Sequence, residues 1–132
     1  MIPIAILAGG LGTRLRPITE TIPKSLLEVA GEPFIAHQLR ELARQGIQNV
    51  VICVGFLGEQ IEEYVKDGSG FDVRVQYSYE TQNLLGTGGA IKKALPLLGD
   101  EFFVLYGDSW LEIDYVAVQK TYEKSRNPAL IT

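Results

Sequence analysis

A glycine-rich loop with an arginine directly follows the first apolar segment of the chain. After Ile4–Ala8 the sequence reads Gly9–Gly10–Leu11–Gly12–Thr13–Arg14. Because glycine adopts positive φ and lets backbone N–H groups converge, such a loop can form a nest that binds an anion. The Thr13 hydroxyl would add a donor, and the Arg14 guanidinium can bind a phosphate through two parallel hydrogen bonds. These residues therefore predict a phosphate-binding loop.

Two familiar phosphate-binding motifs do not match this loop. A dinucleotide fingerprint counted from Gly10 and Gly12 would need a third glycine where Leu15 stands. It would also need an acidic residue closing the second strand, where the sequence has Val54–Gly55. A P-loop needs a glycine before its Lys–Ser pair, but Lys24–Ser25 follows a proline. Both motifs are therefore set aside, and a Rossmann-type oxidoreductase is the weakest of the interpretations.

A carboxylate stands at the end of a second apolar segment. Asp108 follows Phe102–Tyr106 and Gly107, which places it at the carboxyl end of a buried strand. In an open α/β sheet ligands bind at that edge, where the loop after Ile4–Ala8 also emerges. Mg²⁺ is commonly held by one or two carboxylates together with phosphate oxygens and water. The sequence therefore predicts that Asp108 binds Mg²⁺ beside a phosphate.

Composition narrows the class of protein. The chain has 132 residues, 46% hydrophobic and 21% charged, with a formal net charge of -4, which is typical of one globular domain. Dispersed cations on an acidic chain argue against nucleic-acid binding. The apolar start lacks a basic lead and is too short for a signal peptide or a membrane span. The single Cys53 is predicted to be a buried thiol, and a cytoplasmic location is expected.

Short apolar segments alternate with segments of helical spacing. Strands are predicted at Ile4–Ala8, Val50–Val54, Val73–Tyr77 and Phe102–Tyr106, with helices centred on residues 34–43, 61–65, 91–98 and 115–122. This order predicts an α/β fold with a mostly parallel open sheet and helices on both faces, in one domain over residues 1–132. The alternating Val73–Tyr77 segment is expected near an edge. Ala129–Thr132 reads as the start of a further strand, so we expect a truncated domain.

Several of these motifs together resemble the sugar-1-phosphate nucleotidyltransferase family. The signature G-x-G-T-R-[LM]-x-P appears as Gly10–Pro17, and P-K-[PSA] follows as Pro23–Ser25. The resemblance continues through Gly31–Pro33, Leu85–Ala90 and Gly107–Asp108, and so covers the whole chain. It implies a Rossmann-like fold of the nucleotide-diphospho-sugar transferase type. It also implies transfer of a nucleotidyl group from a nucleoside triphosphate to a sugar 1-phosphate, giving an NDP-sugar and pyrophosphate.

The resemblance also implies roles for individual residues. Arg14, Lys24 and Asp108 would be catalytic, with Asp108 the metal ligand and Lys24 near the α-phosphate and the incoming sugar phosphate. The nucleotide would be bound by the loop after the first strand and by the glycine-rich start of the third helix, with Glu80 before it offering hydrogen bonds to the base. These residues are Leu7, Ala8, Gly9, Gly10, Gly12, Thr13, Arg14, Glu80, Gly86, Thr87 and Gly88. Thr87 is the predicted N-cap of that helix.

Guanylyl transfer to mannose or heptose 1-phosphate is the preferred reaction, because the run Leu85–Ile91 looks most like those relatives; uridylyl, cytidylyl and thymidylyl transfer stay open. The family's second metal-binding aspartate and its sugar-contacting residues lie downstream of this chain. We therefore expect these residues alone to bind triphosphate and Mg²⁺ weakly and not to turn over, and any longer parent to be active. An exposed sheet edge would favour a homo-oligomer. The alternative is a non-catalytic module that binds a nucleotide or sugar nucleotide.

Overall fold

The computed structural model describes residues 1–10, 15, 17–80 and 86–132. It contains six strands, β1 Ile4–Ala8, β2 Glu28–Val29, β3 Glu32–Pro33, β4 Asn49–Val54, β5 Arg74–Tyr79 and β6 Phe103–Tyr106. Four helices accompany them, α1 Phe34–Arg44, α2 Gly58–Val65, α3 Gly86–Leu98 and α4 Tyr115–Ser125. All four predicted strands and all four predicted helices are therefore confirmed, with boundaries shifted by a few residues.

The main sheet is parallel and has the order β5-β4-β1-β6. The two central strands, β1 and β4, are apolar except for Asn49 at the start of β4, as expected for strands covered on both faces. Arg74–Tyr79 lies at one edge, which confirms the position predicted from its alternating pattern. The chain runs outward from β1 through β4 to β5 and then returns to the other side of β1 for β6. The topological switch point of the sheet therefore lies between β1 and β6.

Helices cover both faces of the sheet, as the sequence predicts. On one face, residues of α1, α2 and α4 pack on the inward side chains of β1 and β4 in one core cluster. On the other face, Ala90, Ala94 and Leu98 of α3 pack on Ala5, Val51 and Cys53. The second cluster consists mostly of small side chains, so α3 lies close to the sheet. This close packing brings the start of α3 to the carboxyl edge of the strands.

Glycines end two of the helices. Gly99 directly follows α3 and Gly46 lies two residues beyond the end of α1; both adopt positive φ, +81° and +89°, which is a common way for a helix to stop. At its start α4 has an N-cap, because the Asp114 carboxylate accepts a hydrogen bond from the backbone N–H of Ala117. None of the helices in the described part of the chain is long and apolar enough to cross a membrane.

Two local predictions are wrong. Thr87 is not an N-cap, because α3 already begins at Gly86, whose φ of +70° turns the chain into the helix. Ala129–Thr132 forms no strand. A strand needs a neighbour to satisfy its backbone hydrogen bonds, and within the described residues β6 pairs only with β1.

Candidate active site

A cleft of about 510 Å³ opens at the carboxyl edge of the sheet, on the face covered by α3. The ends of β1 and β6, the start of α3 and the turn after Pro23 all contribute to its wall. The lining residues are Leu7, Ala8, Gly9, Gly10, Lys24, Ser25, Cys53, Glu80, Gly86, Thr87, Ala90, Tyr106, Gly107 and Asp108. The cleft therefore lies beside the switch point, where open α/β sheets bind their ligands.

Glycine at position 107 lets the two strands that flank the switch point stay paired beyond β6. The backbone N–H of Gly107 donates to the carbonyl oxygen of Leu7 at 2.9 Å. A Cβ at this position would lie 2.6 Å from that same oxygen and 3.2 Å from the Cα of Ala8. Because both neighbours are backbone atoms, no side-chain rotation could relieve the contact. The residue before Asp108 must therefore be glycine if the strands are to keep this spacing.

The Glu80 carboxylate lies against the start of the glycine-rich loop. A Cβ on Gly9 would come within 3.0 Å of Oε1 of Glu80. The Glu80 backbone is fixed in turn, since its N–H donates to the carbonyl oxygen of Val54 at 2.8 Å. Gly55 is similarly restricted, because a Cβ there would lie 3.1 Å from the carbonyl oxygen of Gly9. A carboxylate acceptor thus borders the cleft next to backbone that has no side chain to block a ligand.

Lys24 and Asp108 meet at the cleft although they are far apart in sequence. Nζ of Lys24 lies 2.8 Å from Oδ2 of Asp108. The lysine begins a short 3-10 turn, Lys24–Leu26, in which the N–H of Leu26 donates to the carbonyl oxygen of Pro23 at 2.9 Å and Ser25 is buried. The two charged side chains remain 38% and 51% exposed. Both charges are thus held by ordered backbone and still accessible to a ligand.

Asp108 is the carboxylate that a metal beside a bound phosphate would use. No group of three acidic, histidine or cysteine side chains that could hold a metal occurs among the residues the structure describes. Asp108 is exposed at the mouth of the cleft, beside Lys24. A single carboxylate fits a cation that takes its other ligands from phosphate oxygens and water, as Mg²⁺ does.

Cys53 lies at the floor of the cleft. Its side chain is 2% exposed, and burial raises the pKa of the thiol from 9.0 to about 11. The thiol therefore stays protonated at neutral pH and is a poor nucleophile. The prediction of a buried core thiol is confirmed.

The predicted site residues fall into three groups. Nine of them line the cleft, namely Leu7, Ala8, Gly9, Gly10, Lys24, Glu80, Gly86, Thr87 and Asp108. Gly88 does not line it and is exposed in the first turn of α3. Gly12, Thr13 and Arg14 lie outside the described residues. Five more residues line the cleft without having been predicted as site residues, namely Ser25, Cys53, Ala90, Tyr106 and Gly107. Only their positions beside predicted residues or near strand ends could have indicated them.

An open parallel sheet with a glycine-lined cleft at its switch point defines the class as an α/β protein that binds its ligand at this edge. A comparison with protein families specifies the class further. The sequence model described as "Nucleotidyl transferase" matches residues 4–132. The chain belongs to the nucleotidyl transferase family, as its motifs predict.

Curated relatives and solved structures agree with this assignment. The chain is 46% identical over 117 residues to the N-acetylmuramate alpha-1-phosphate uridylyltransferase of Neisseria meningitidis, covering 88% of the chain and 51% of the relative. It is 42% identical over 109 residues to the D-glycero-alpha-D-manno-heptose 1-phosphate guanylyltransferase of Campylobacter jejuni, covering 83% and 48%. HddC from Yersinia pseudotuberculosis, solved in complex with GMP-PN, superposes with a TM-score of 0.82 at 33% identity, covering 92% and 54%. The chain thus spans about half the length of the relatives it matches.

Proposed function

We propose that the cleft binds a nucleoside triphosphate and that the protein transfers the nucleotidyl group to a sugar 1-phosphate. One observation carries the proposal: a lysine and an aspartate 84 residues apart meet at 2.8 Å at the mouth of a glycine-lined cleft. A cation for phosphate oxygens and a carboxylate for a metal are the two charges that phosphoryl-type transfer requires. Membership of the nucleotidyl transferase family supports this assignment.

The reaction exchanges one phosphorus–oxygen bond for another. A phosphate oxygen of the sugar 1-phosphate bonds to the α-phosphorus, and the bond from that phosphorus to the bridging oxygen of pyrophosphate breaks. The electron pair of the broken bond leaves with pyrophosphate, and nothing is oxidised or reduced. Such an in-line displacement depends on alignment and charge neutralisation more than on a covalent nucleophile. When bound at Asp108, Mg²⁺ would neutralise charge on the triphosphate.

Lys24 is suited to the α-phosphate and the incoming sugar phosphate. An ion pair as exposed as the one between Lys24 and Asp108 contributes at most about 1 kcal/mol. An approaching phosphate can therefore draw the ammonium away from the carboxylate at little cost, and a cation can then take the place of the ammonium beside Asp108. The mobile point charge of lysine suits this exchange of partners.

The walls formed by Glu80 and by the start of α3 are suited to hold the base. Gly86 and Thr87 leave open space at the helix start, and the Glu80 carboxylate can accept hydrogen bonds from a base edge. The preference for guanine stays a prediction, because the relatives named above include a uridylyltransferase and a guanylyltransferase. Arg14 and the rest of the phosphate-binding loop belong to the same proposal.

Transfer is tested by incubating the protein with each triphosphate, a panel of sugar 1-phosphates and Mg²⁺, and measuring NDP-sugar and pyrophosphate together. The assay is run on this chain and on any longer polypeptide that includes it. We expect product from one triphosphate with the longer polypeptide and no turnover by this chain alone. In the longer polypeptide, Lys24→Met and Asp108→Asn should lose at least a hundredfold in activity, comparable to removing one transition-state contact.

The matched controls make the same two charge changes at residues outside the cleft. Lys120→Met removes an exposed lysine of α4, and Asp100→Asn removes an exposed carboxylate at the amino end of β6, on the opposite edge of the sheet. Both controls should retain activity. Equal losses in the controls, or full activity in Lys24→Met and Asp108→Asn, would show that the cleft is not the reacting site.

A further inference from the structure

A buried glutamine of α1 is bonded to the turn that carries Asp108. Nε2 of Gln38 donates to the carbonyl oxygen of Ser109 at 2.9 Å and to that of Tyr106 at 3.2 Å. Gln38 is 2% exposed, although it belongs to a helix whose other buried residues are apolar or alanine. One amide group thus binds the turn on both sides of Asp108.

Backbone hydrogen bonds also hold the turn that carries Asp108 in place. The N–H of Ser109 donates to the carbonyl oxygen of Tyr106 at 3.1 Å, which closes a four-residue turn around Gly107 and Asp108. The N–H of Gly107 is bonded to Leu7 of β1. With Gln38 added, both ends of the turn are bonded to the secondary-structure elements β1 and α1. Asp108 itself is half exposed, so its backbone position depends on these buried bonds.

Stability alone does not account for an amide at position 38. Its Oε1 is buried and has no hydrogen-bond partner among the described residues. Leaving such an acceptor unsatisfied is unfavourable, and an unbranched apolar side chain would avoid that cost. The two donated bonds are the feature that an apolar residue could not reproduce.

We propose that Gln38 is a positioning residue that aims the Asp108 carboxylate at the metal of a bound triphosphate. The inference rests on the proposed function, in which Asp108 is the metal ligand. Groups that hold a metal ligand in place typically change metal affinity 10–100-fold when they are removed. Gln38 does not line the cleft, so we expect its effect in the metal-dependent part of binding.

The test compares triphosphate binding with and without Mg²⁺ in the whole chain. GTP and UTP are titrated by calorimetry in excess Mg²⁺ and in EDTA, and the ratio of the two Kd values is the metal effect. The first variant is Gln38→Met, which keeps an unbranched side chain without donors. The second is Gln38→Glu, which keeps the shape and presents oxygens only. We expect both variants to lower the metal effect about tenfold, towards the value for Asp108→Asn, and to change the Kd measured in EDTA only slightly.

Gln45, the residue that follows α1, is a matched control. Its Nε2 donates to the carbonyl oxygen of Ile113 at 2.9 Å, and neither residue lines the cleft. Gln45→Met should leave both Kd values unchanged. If Asp108→Asn loses the metal effect while both Gln38 variants keep it, the positioning role is wrong and the proposed function survives.

Two other outcomes also overturn the inference. If Asp108→Asn keeps the full metal effect, the assignment of the metal ligand fails and the role of Gln38 fails with it. If both Gln38 variants lose the folded circular dichroism spectrum, Gln38 serves the fold rather than the orientation of Asp108. Direct binding of Mn²⁺ in the presence of triphosphate, followed by electron paramagnetic resonance, gives an independent readout of the same ratio.

Discussion

Replacing Gly107 with alanine tests how closely the strands at the switch point must approach. The new Cβ would stand 2.6 Å from the carbonyl oxygen of Leu7, well inside normal contact distance, and 3.2 Å from the Cα of Ala8. The φ of Gly107 lies outside the left-handed region, so the cost is steric. Overpacking of this kind costs roughly 1–3 kcal/mol, and weakening the Gly107–Leu7 hydrogen bond adds about 1 kcal/mol. We expect a loss of about 3 kcal/mol, which for a chain of this size lowers Tm by about 10 °C.

The assay is thermal unfolding of Gly107→Ala by circular dichroism beside wild type and Gly70→Ala. Gly70 has no positive φ, and a Cβ there would meet nothing within 4 Å. Its variant should melt no lower than wild type. If Gly107→Ala melts within about 2 °C of wild type, less than 1 kcal/mol has been lost. The spacing between β1 and β6 would then be adjustable, and the steric reasoning would be refuted.

Three further predictions concern the cleft. Lys24→Met should change the free energy of unfolding by less than about 1 kcal/mol, because the ion pair with Asp108 is exposed, yet weaken triphosphate binding at least tenfold; calorimetry and urea unfolding separate the two effects. Gly9→Ala should also weaken triphosphate binding, since its Cβ would lie 3.0 Å from the Glu80 carboxylate. Because a side chain can move aside and backbone cannot, urea unfolding should show a smaller loss of stability for Gly9→Ala than for Gly107→Ala. The pKa of the Cys53 thiol is 9.0 in the unfolded chain and about 11 in the folded protein, so its contribution to stability is complete below pH 9. That contribution is lost as pH rises from 9 to 11, by about 1.4 kcal/mol per pH unit. Urea unfolding of wild type and Cys53→Ala across this pH range measures the loss, and parallel pH profiles of the two proteins would contradict it.

Hydrophobic periodicity predicted the frame of the molecule. Ile4–Ala8 was located to the residue, and the alternating segment at 73–77 correctly indicated an edge strand. Hydrophobic periodicity shows which face of a helix or strand is buried, and that face follows from the position of the element in the sheet. Asp108 could be placed at the ligand-binding edge for the same reason, since the carboxyl ends of parallel strands share one edge.

Contacts between segments far apart in the chain could not be predicted from the sequence. Nothing around Gln38 indicates that its amide reaches the turn after β6, because 68 and 71 residues separate the bonded groups. The ion pair between Lys24 and Asp108 likewise depends on how two loops meet in space. Thr87 was misplaced because a threonine and a glycine with positive φ are both common at helix starts. Side-chain type restricts what a residue can do, but its partner is set by tertiary packing.

Binding of a nucleoside triphosphate in the cleft is the central claim, and calorimetry tests it most directly. The purified chain is titrated with GTP, UTP, CTP, dTTP and ATP in Mg²⁺, in parallel with Arg14→Ala and Asp108→Ala. We expect one triphosphate to bind best and both variants to weaken or abolish its binding. If the chain is folded and no triphosphate binds, or if one binds equally well to both variants, the account is contradicted.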